Sequence, residues 1–344
     1  MDRSRIKAIS LVSGGLDSTL ATRIILDMGI EVVAVNFTSP FCTCTSKRRK
    51  ELGCKNEALR ISQHLGIKIR IVPKGKEYLS VIRNPKYGYG SAMNPCIDCR
   101  IFMLRKAKEI MEEEGASFIV TGEVLGQRPM SQRREAILKI ERESGLSGKI
   151  IRPLSAIHFE PTVFEKEGIV DRSRLLSIDG RGRSVQIELA AKYNITDYPC
   201  PAGGCLLTDK RFAEKLRDYF IHHKDDEDYV RQMELLKIGR HFRLPNGAKI
   251  IVGRDEYENS RLMVLNRGEN YVVESEFPGP IALIFGERSE ENLLFAVTSL
   301  KRFNNKLPKD PVYFISKNGQ NREEIRFYTD YPEDVVKYQL GIDR

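Results

Sequence analysis

No stretch of this sequence approaches the ~18 consecutive apolar residues that a membrane-spanning helix requires, which excludes that class of protein. Nor does it open with the apolar segment of a secretory signal, so the expected location is the cytoplasm. Thiols stay reduced there, and the seven cysteines then read as ligands or catalysts, not disulfides. Histidine is scarce, with five in 344 residues, and none falls in a general-base or metal-ligand spacing. His222 and His223 are adjacent, so on a helix they point to different faces. The glycine-rich stretch near the N-terminus has no lysine where a Walker loop needs one, which excludes that phosphate site.

What is there instead begins with Ser13-Gly14-Gly15-Leu16-Asp17-Ser18. It lies between an apolar run suited to a strand, Ile6 to Val12, and an amphipathic helical segment, Thr19 to Met28. Two glycines let the backbone approach a ligand closely, and a helix N-terminus offers free N–H groups to an anion. An ordinary glycine turn capped by Asp17 is the alternative. The stretch resembles the SGGxDS signature of the PP-loop ATP pyrophosphatases. That resemblance implies that Ser13, Gly14, Gly15, Asp17 and Ser18 hold the pyrophosphate of ATP, with Asp17 also helping to hold Mg²⁺.

Strands are expected at Glu31 to Phe37, Lys68 to Val72 and Ser117 to Thr121, alternating with helices at Lys55 to Leu65 and Arg100 to Glu114. Pro73 to Pro95 reads as one long irregular segment. Alternation of this kind gives an α/β fold, a parallel sheet flanked by helices, with ligands beyond the carboxyl ends of the strands. The expected rim combines Ser13–Ser18, Phe37–Cys44 and Thr121–Gln127, making Asn36, Phe37, Thr121, Gly122 and Gln127 further candidates for the nucleotide site. Thr121-Gly-Glu-Val-Leu-Gly-Gln127, together with Arg152-Pro-Leu, resembles the TGExLGQ…RPL pattern of tRNA 4-thiouridine synthetases. Asn94-Pro95-x-x-x-Cys99 is similar to the catalytic-cysteine motif of the tRNA 2-thiouridylases, and Cys205-Leu-Leu to the position of their second essential cysteine.

Cys96 and Cys99 open the Arg100 helix, where a helix N-terminus lowers a thiol pKa, and Cys200 and Cys205 share a glycine-rich turn. By the resemblance, Cys99 and Cys205 are catalytic alongside Asp17. It also implies that three of Cys96, Cys99, Cys200 and Cys205 hold a [4Fe–4S] cluster. The same spacing suits a structural zinc site, or a metal-free pair in which one cysteine carries a persulfide and another resolves it. Cys42, Cys44 and Cys54 receive no role.

Net charge is +9, and residues 231–344 contribute only +1 of it. Lys47 to Lys76 alone carries ten basic and two acidic residues, a concentration that suggests a polyanion, with Arg48 and Arg49 as candidate RNA contacts. Residues 155 to 185 carry little apolar pattern, Ser184 to Tyr193 suits a helix, and Phe212 to Asp228 reads as a charged connector helix. From about Val230 the pattern changes to short runs, with strands expected at Lys249–Val252, Arg261–Leu265, Asn270–Glu274, Ile281–Phe285 and Val312–Ser316. Gly239-Arg-His-Phe-Arg and Val252-Gly-Arg-Asp resemble the NFACT-R type of RNA-binding domain, making Arg240, Arg243, Arg254 and Arg261 candidates to pair phosphates. Dimerisation is the alternative role for this part.

The expected organisation is a PP-loop domain at 1–180, a cysteine-bearing segment and connector at 181–230, and a smaller α+β RNA-binding domain at 231–344. The resemblance implies an enzyme that uses ATP to replace a tRNA uridine oxygen with sulfur through an adenylated intermediate. Its sulfur would come as sulfide or from a persulfide-bearing protein. A small-molecule sulfur inserter or amide ligase on the same loop is one rival, and a zinc-bearing RNA-binding protein another. The THUMP and rhodanese-like domains of longer 4-thiouridine synthetases are not evident.

Overall fold

The computed structural model describes residues 6–42, 54–195, 204–223, 227–304, 308 and 311–342. The chain forms two compact units, Met1–Thr208 and Asp209–Arg344. In the first, the elements are β1 (Lys7–Leu11), α1 (Leu16–Leu26), β2 (Glu31–Thr38), α2 (Cys54–His64), β3 (Lys68–Pro73) and α3 (Glu77–Arg83). There follow α4 (Cys96–Glu113), β4 (Phe118–Thr121), α5 (Arg134–Glu143), β5 (Ile150–Ile151), α6 (Val163–Lys166) and α7 (Ser184–Lys192).

The strands lie in the order β3-β2-β1-β4-β5, all parallel. Successive side chains point to opposite faces of a strand, and here both faces are covered. Ala8, Phe118 and Val120 pack with Leu16, Leu20 and Ile24 of α1 and Ala190 of α7. Ile9, Val33, Val35 and Ile119 pack with Ile101 and Leu104 of α4 and Ile140 of α5. Burial on both sides is why these strands read as continuous apolar runs and not as alternating ones. A buried hydroxyl pair, Ser10 Oγ to Thr22 Oγ1 at 2.7 Å, ties β1 to α1. The chain leaves β1 toward β2 and β3, then returns to the opposite side of β1 at β4. That reversal lies between β1 and β4, where ligands enter folds of this type.

Three departures from expectation concern this unit. Pro73 to Pro95 is not wholly irregular, because α3 lies within it and buries Tyr78, Leu79 and Ile82. The Arg100 helix begins at Cys96, so both cysteines lie inside its first turn and a half. Residues 155–185 supply Ala156, Val170, Leu175 and Ile178 to the α1 face of the core despite their weak pattern.

The second unit contains α8 (Lys210–His222), α9 (Tyr229–Lys237), β6 (Arg240–Arg243), β7 (Lys249–Val252), α10 (Glu256–Asn266), β8 (Tyr271–Ser275) and β9 (Ala282–Phe285). It ends with α11 (Glu290–Arg302), β10 (Tyr313–Lys317), β11 (Gln320–Ile325) and β12 (Gln339–Leu340). Its antiparallel sheet runs β11-β10-β8-β9-β7-β6-β12, giving the α+β architecture. Phe242, Ile250, Val252 and Ile284 face Phe295, Ala296 and Leu300 of α11. Ile251 and Leu283 face Leu235 of α9 and Leu262 of α10. The strand expected at Arg261–Leu265 is instead helical, within α10. Asp255 caps it by accepting from Glu258 N at 2.9 Å, and Leu262 is buried while Val264 is 67% exposed. The Phe212–Asp228 connector resolves into α8, which ends at His222. None of the described helices is long and apolar enough to cross a membrane.

Candidate active site

The loop from Ser13 to Ser18 folds on its own hydroxyls. Ser18 Oγ donates to Gly15 O at 2.9 Å and accepts from Ser13 N at 3.2 Å, and Thr19 Oγ1 donates to the same carbonyl at 3.0 Å. Gly14 has φ of +83°, a conformation glycine adopts without strain. With carbonyls and hydroxyls paired internally, the N-terminal N–H groups of α1 are left for a ligand. Asp17 accepts from Gln127 Nε2 at 3.1 Å through Oδ2. Its Oδ1 is buried with no partner, an acceptor suited to a cation or a ligand N–H.

β4 supplies the opposite wall. A Cβ on Gly122 would stand 2.5 Å from Ser18 N and 2.6 Å from the carbonyl carbon of Asp17, so only glycine lets this strand end press on the loop. Glu123 is buried and pairs with Arg152 Nε at 3.1 Å and Arg100 Nε at 3.4 Å, while Arg152 reaches Glu141 at 3.0 Å. Burial would raise the Glu123 pKa, but Arg100 and Arg152 more than offset it and the net shift is downward. The residues Thr121-Gly-Glu…Gln127…Arg152 thus brace one loop from several directions. From β2, Asn36 Nδ2 donates to Val12 O at 2.7 Å, and its Oδ1 is buried and unpartnered. The Phe37 ring packs into the core face shared with Val72 and Tyr87.

Along the same rim, residues 204–208 pair with the segment that follows β2 and gather thiols. Cys205 pairs in antiparallel fashion with Cys42, Leu206 N donates to Phe41 O at 2.8 Å, and Met93 N donates to Leu207 O at 2.9 Å. Cys99, on α4, accepts from Lys74 Nζ at 3.1 Å. The ammonium also lies 4.4 Å from the centre of the Tyr78 ring, and the Tyr78 hydroxyl bonds the same sulfur. Burial alone would push the Cys99 thiol up. Lys74, the Tyr78 hydrogen bond and Arg100 overcome it, and the net shift is down, toward the thiolate. Its neighbours go the other way. Burial and the Cys99 charge raise Cys96, and burial pushes Cys205 up to about 11. One cysteine of the three is therefore prepared as a nucleophile.

Among the described residues, no three Cys, His, Asp or Glu side chains gather as ligands for a metal ion. Cys44 and Cys200, like Arg48 and Arg49, lie outside those residues. In the described part of the basic run, Arg60 pairs with Glu57, Arg70 with Glu113 and Glu114, and Lys74 with Cys99. In the second unit Arg243 grips Asp218 through two nitrogens at 2.7 and 2.8 Å. Arg254 binds Glu258, Arg261 lies 4.0 Å from Glu234, and Arg240 lies 4.2 Å from the Phe303 ring centre. Lys74, Tyr78, Arg100 and Arg128 join the site without any motif that marks them in the sequence. Arg128 interacts electrostatically with Arg100, Cys96 and Asp17, so one cation is coupled to both the loop and the thiol side. The position of Lys74, one residue beyond β3 on the ligand-bearing edge, was the available signal.

Residues 4–172 match the family described as thiamine biosynthesis protein (ThiI), and residues 239–338 match the NFACT protein RNA binding domain. A protein of Methanosarcina mazei named probable tRNA sulfurtransferase is 29% identical over 169 residues, covering 49% of this chain and 38% of that protein. One of the same name from Thermus thermophilus is 31% identical over 163 residues, covering 47% and 38%. The chain thus spans well under two thirds of the length of these relatives. A solved 4-thiouridine synthetase–RNA complex with bound ATP is 26% identical, with 67% of this chain and 52% of that one covered and a TM-score of 0.35. Taken with the loop and the residues around it, the family and sequence matches show that the chain resembles the PP-loop tRNA thiolation enzymes in its first unit and the NFACT RNA-binding domain in its second.

Proposed function

We propose that the chain is an ATP-dependent tRNA sulfurtransferase that replaces a uridine carbonyl oxygen with sulfur. The observation that carries this reading is a cysteine held toward its thiolate by Lys74 on the same sheet edge as the glycine loop. The N–H groups of the loop and α1 would hold the phosphates of ATP, and Asp17, whose Oδ1 lacks a partner, would hold Mg²⁺, which with Arg128 would offset the charge gathering on leaving pyrophosphate. Adenylation makes the uridine oxygen a leaving group. The terminal sulfur of a Cys205 persulfide, taken from a persulfide-bearing donor, then forms the C–S bond as the C–O bond to AMP breaks. The Cys99 thiolate attacks the Cys205 sulfur and releases the thiolated uridine. A Cys99–Cys205 disulfide remains, which an external dithiol reduces. The lowered pKa of Cys99 suits that attacking role.

Of the four cysteines expected to hold a [4Fe–4S] or zinc site, Cys200 lies outside the described residues, and among the described residues no three metal-ligating side chains gather. No step is assigned to a metal–sulfur group, and iron analysis after anaerobic preparation tests the point. The reading as a whole is tested by tRNA-dependent release of AMP. Asp17→Ala abolishes AMP formation, and Cys99→Ala leaves AMP formation while eliminating thiolation. ADP as the product would overturn the assignment.

A further inference from the structure

The second unit contains a half-open cavity of about 250 Å³ between α8, α9 and the sheet. Lys249, Arg243 and the rings of His222, His223 and His241 provide its polar wall, and Leu235, Leu236, Ile251 and Phe285 its apolar wall. At the small end of ligand sites, which run from about 300 Å³ upward, it has room for one ring system and its substituents.

Two features define what it would take. Asp218 accepts from Lys249 Nζ at 2.9 Å and from two nitrogens of Arg243, so a buried lysine and a half-buried arginine share one carboxylate and the cluster keeps a positive charge. Lys249 has three donors and Arg243 five, more than Asp218 and the Gly247 carbonyl accept. This wall suits an anion and repels a metal ion. The second feature is His241, fully buried, with Nε2 2.8 Å from Ile238 O and Nδ1 buried without a partner. Nε2 carries the proton toward that carbonyl, which leaves Nδ1 as an acceptor lacking a donor. His223, stacked on Tyr219 at 4.6 Å, lines the cavity beside Lys249.

An anion, a flat apolar body and an N–H donor are combined in one common ligand class. We propose that this cavity binds a single nucleotide, its phosphate against Lys249 and Arg243, its base between the apolar wall and His241. Neither the nucleotide loop nor the cysteines take part. That an unpaired nucleotide of RNA is the occupant rests on the RNA-binding role proposed for this unit, whereas the nucleotide chemistry of the cavity does not.

The test uses the full chain carrying Asp17→Ala, which disables the first-unit loop, and follows histidine ring signals by NMR while UMP is added. At ~10 mM UMP, enough to fill most of a millimolar site, the His223 and His241 signals shift. Affinity falls by roughly tenfold or more, about 1.4 kcal/mol, in Lys249→Met and, should that variant fold poorly, in His223→Ala. An unpaired oligouridylate acting at lower concentration than UMP identifies RNA as the source, and UMP acting alone identifies the free nucleotide. Absence of any shift, equal affinity for inorganic phosphate, or a shift unchanged in both variants overturns the proposal. If UMP leaves the signals unmoved while the chain still binds tRNA, the cavity assignment fails and the RNA-binding role stands. If UMP shifts them and tRNA does not bind, the reverse holds.

Discussion

A lysine 3.1 Å from a sulfur changes what that sulfur does at neutral pH. Burial is the largest single influence on Cys99 and raises it, and Lys74 together with the Tyr78 hydrogen bond and Arg100 outweighs that effect. Lys74→Met therefore raises the Cys99 pKa. Alkylation of Cys99 by iodoacetamide at pH 7, mapped by mass spectrometry, slows about tenfold or more, and its pH profile moves to the alkaline side. An unmoved profile would show that Lys74 does not set the thiolate. Asp218 makes the opposite case, a residue whose charge serves the fold. Burial disfavours its charged form, but Arg243 and Lys249 prevail and hold the carboxyl down at about 2. Its stabilising contribution is complete above the unfolded value of about 3.9 and is lost as pH falls from there through about 2. Asp218→Asn leaves Lys249 buried and Arg243 half-buried without their carboxylate. The second unit loses about 3–5 kcal/mol in urea unfolding, and its acid dependence in that window flattens.

At the scale of elements, capping and burial decide what the apolar pattern leaves open. Arg261-Leu-Met-Val-Leu265 has the composition of a strand, yet Asp255 capping Glu258 N and the spacing of Glu258, Leu262 and Asn266 on one buried face make it helical. Asp255→Ala costs about 1 kcal/mol, seen as a lower urea midpoint for the second unit with an unchanged slope. The parallel sheet was legible because double-sided burial writes β2 and β4 as nearly unbroken apolar runs, and the loop was legible because its glycines and serines fall within Ser13–Ser18. α3, α5 and the burial of residues 155–185 were not. α3 and α5 do carry helical spacing, in Tyr78, Leu79 and Ile82 and in Ala136, Ile137 and Ile140, but as short runs easily passed over, whereas residues 155–185 have no period and bury against distant segments. The thiol site was half legible. Cys99 and Cys205 stand out by motif, but Lys74 and Tyr78 come from another strand end and helix, joined to them only by the fold.

For the whole molecule, the proposed division of labour places chemistry in residues 1–208 and an additional grip on RNA in residues 209–344. Two weak contacts on one chain strengthen each other through effective concentration. A chain ending at Thr208 keeps ATP binding and binds tRNA at least tenfold more weakly than the full chain. Filter binding or mobility shift at several salt concentrations measures this. Arg240→Ala or Arg254→Ala in the full chain each flatten the salt dependence by about one phosphate. Equal affinity of the shortened chain would assign the second unit to dimerisation.

The pairing of Cys205 with Cys42 also has a consequence for how the protein is born. Lys74, Tyr78 and Cys99 leave the ribosome well before residues 204–208, whose pairing with Phe41 and Cys42 completes the thiol site. At about 5–20 residues per second, the roughly hundred residues between Cys99 and Cys205 take ~5–20 s to appear. During that interval Cys99 of α4 can already meet Lys74, so the reactive thiolate forms before the 204–208 segment that closes over it. Nascent chains should therefore be most easily oxidised at Cys99, and a cell that synthesises this protein under oxidative stress would damage it during translation more readily than after folding is complete.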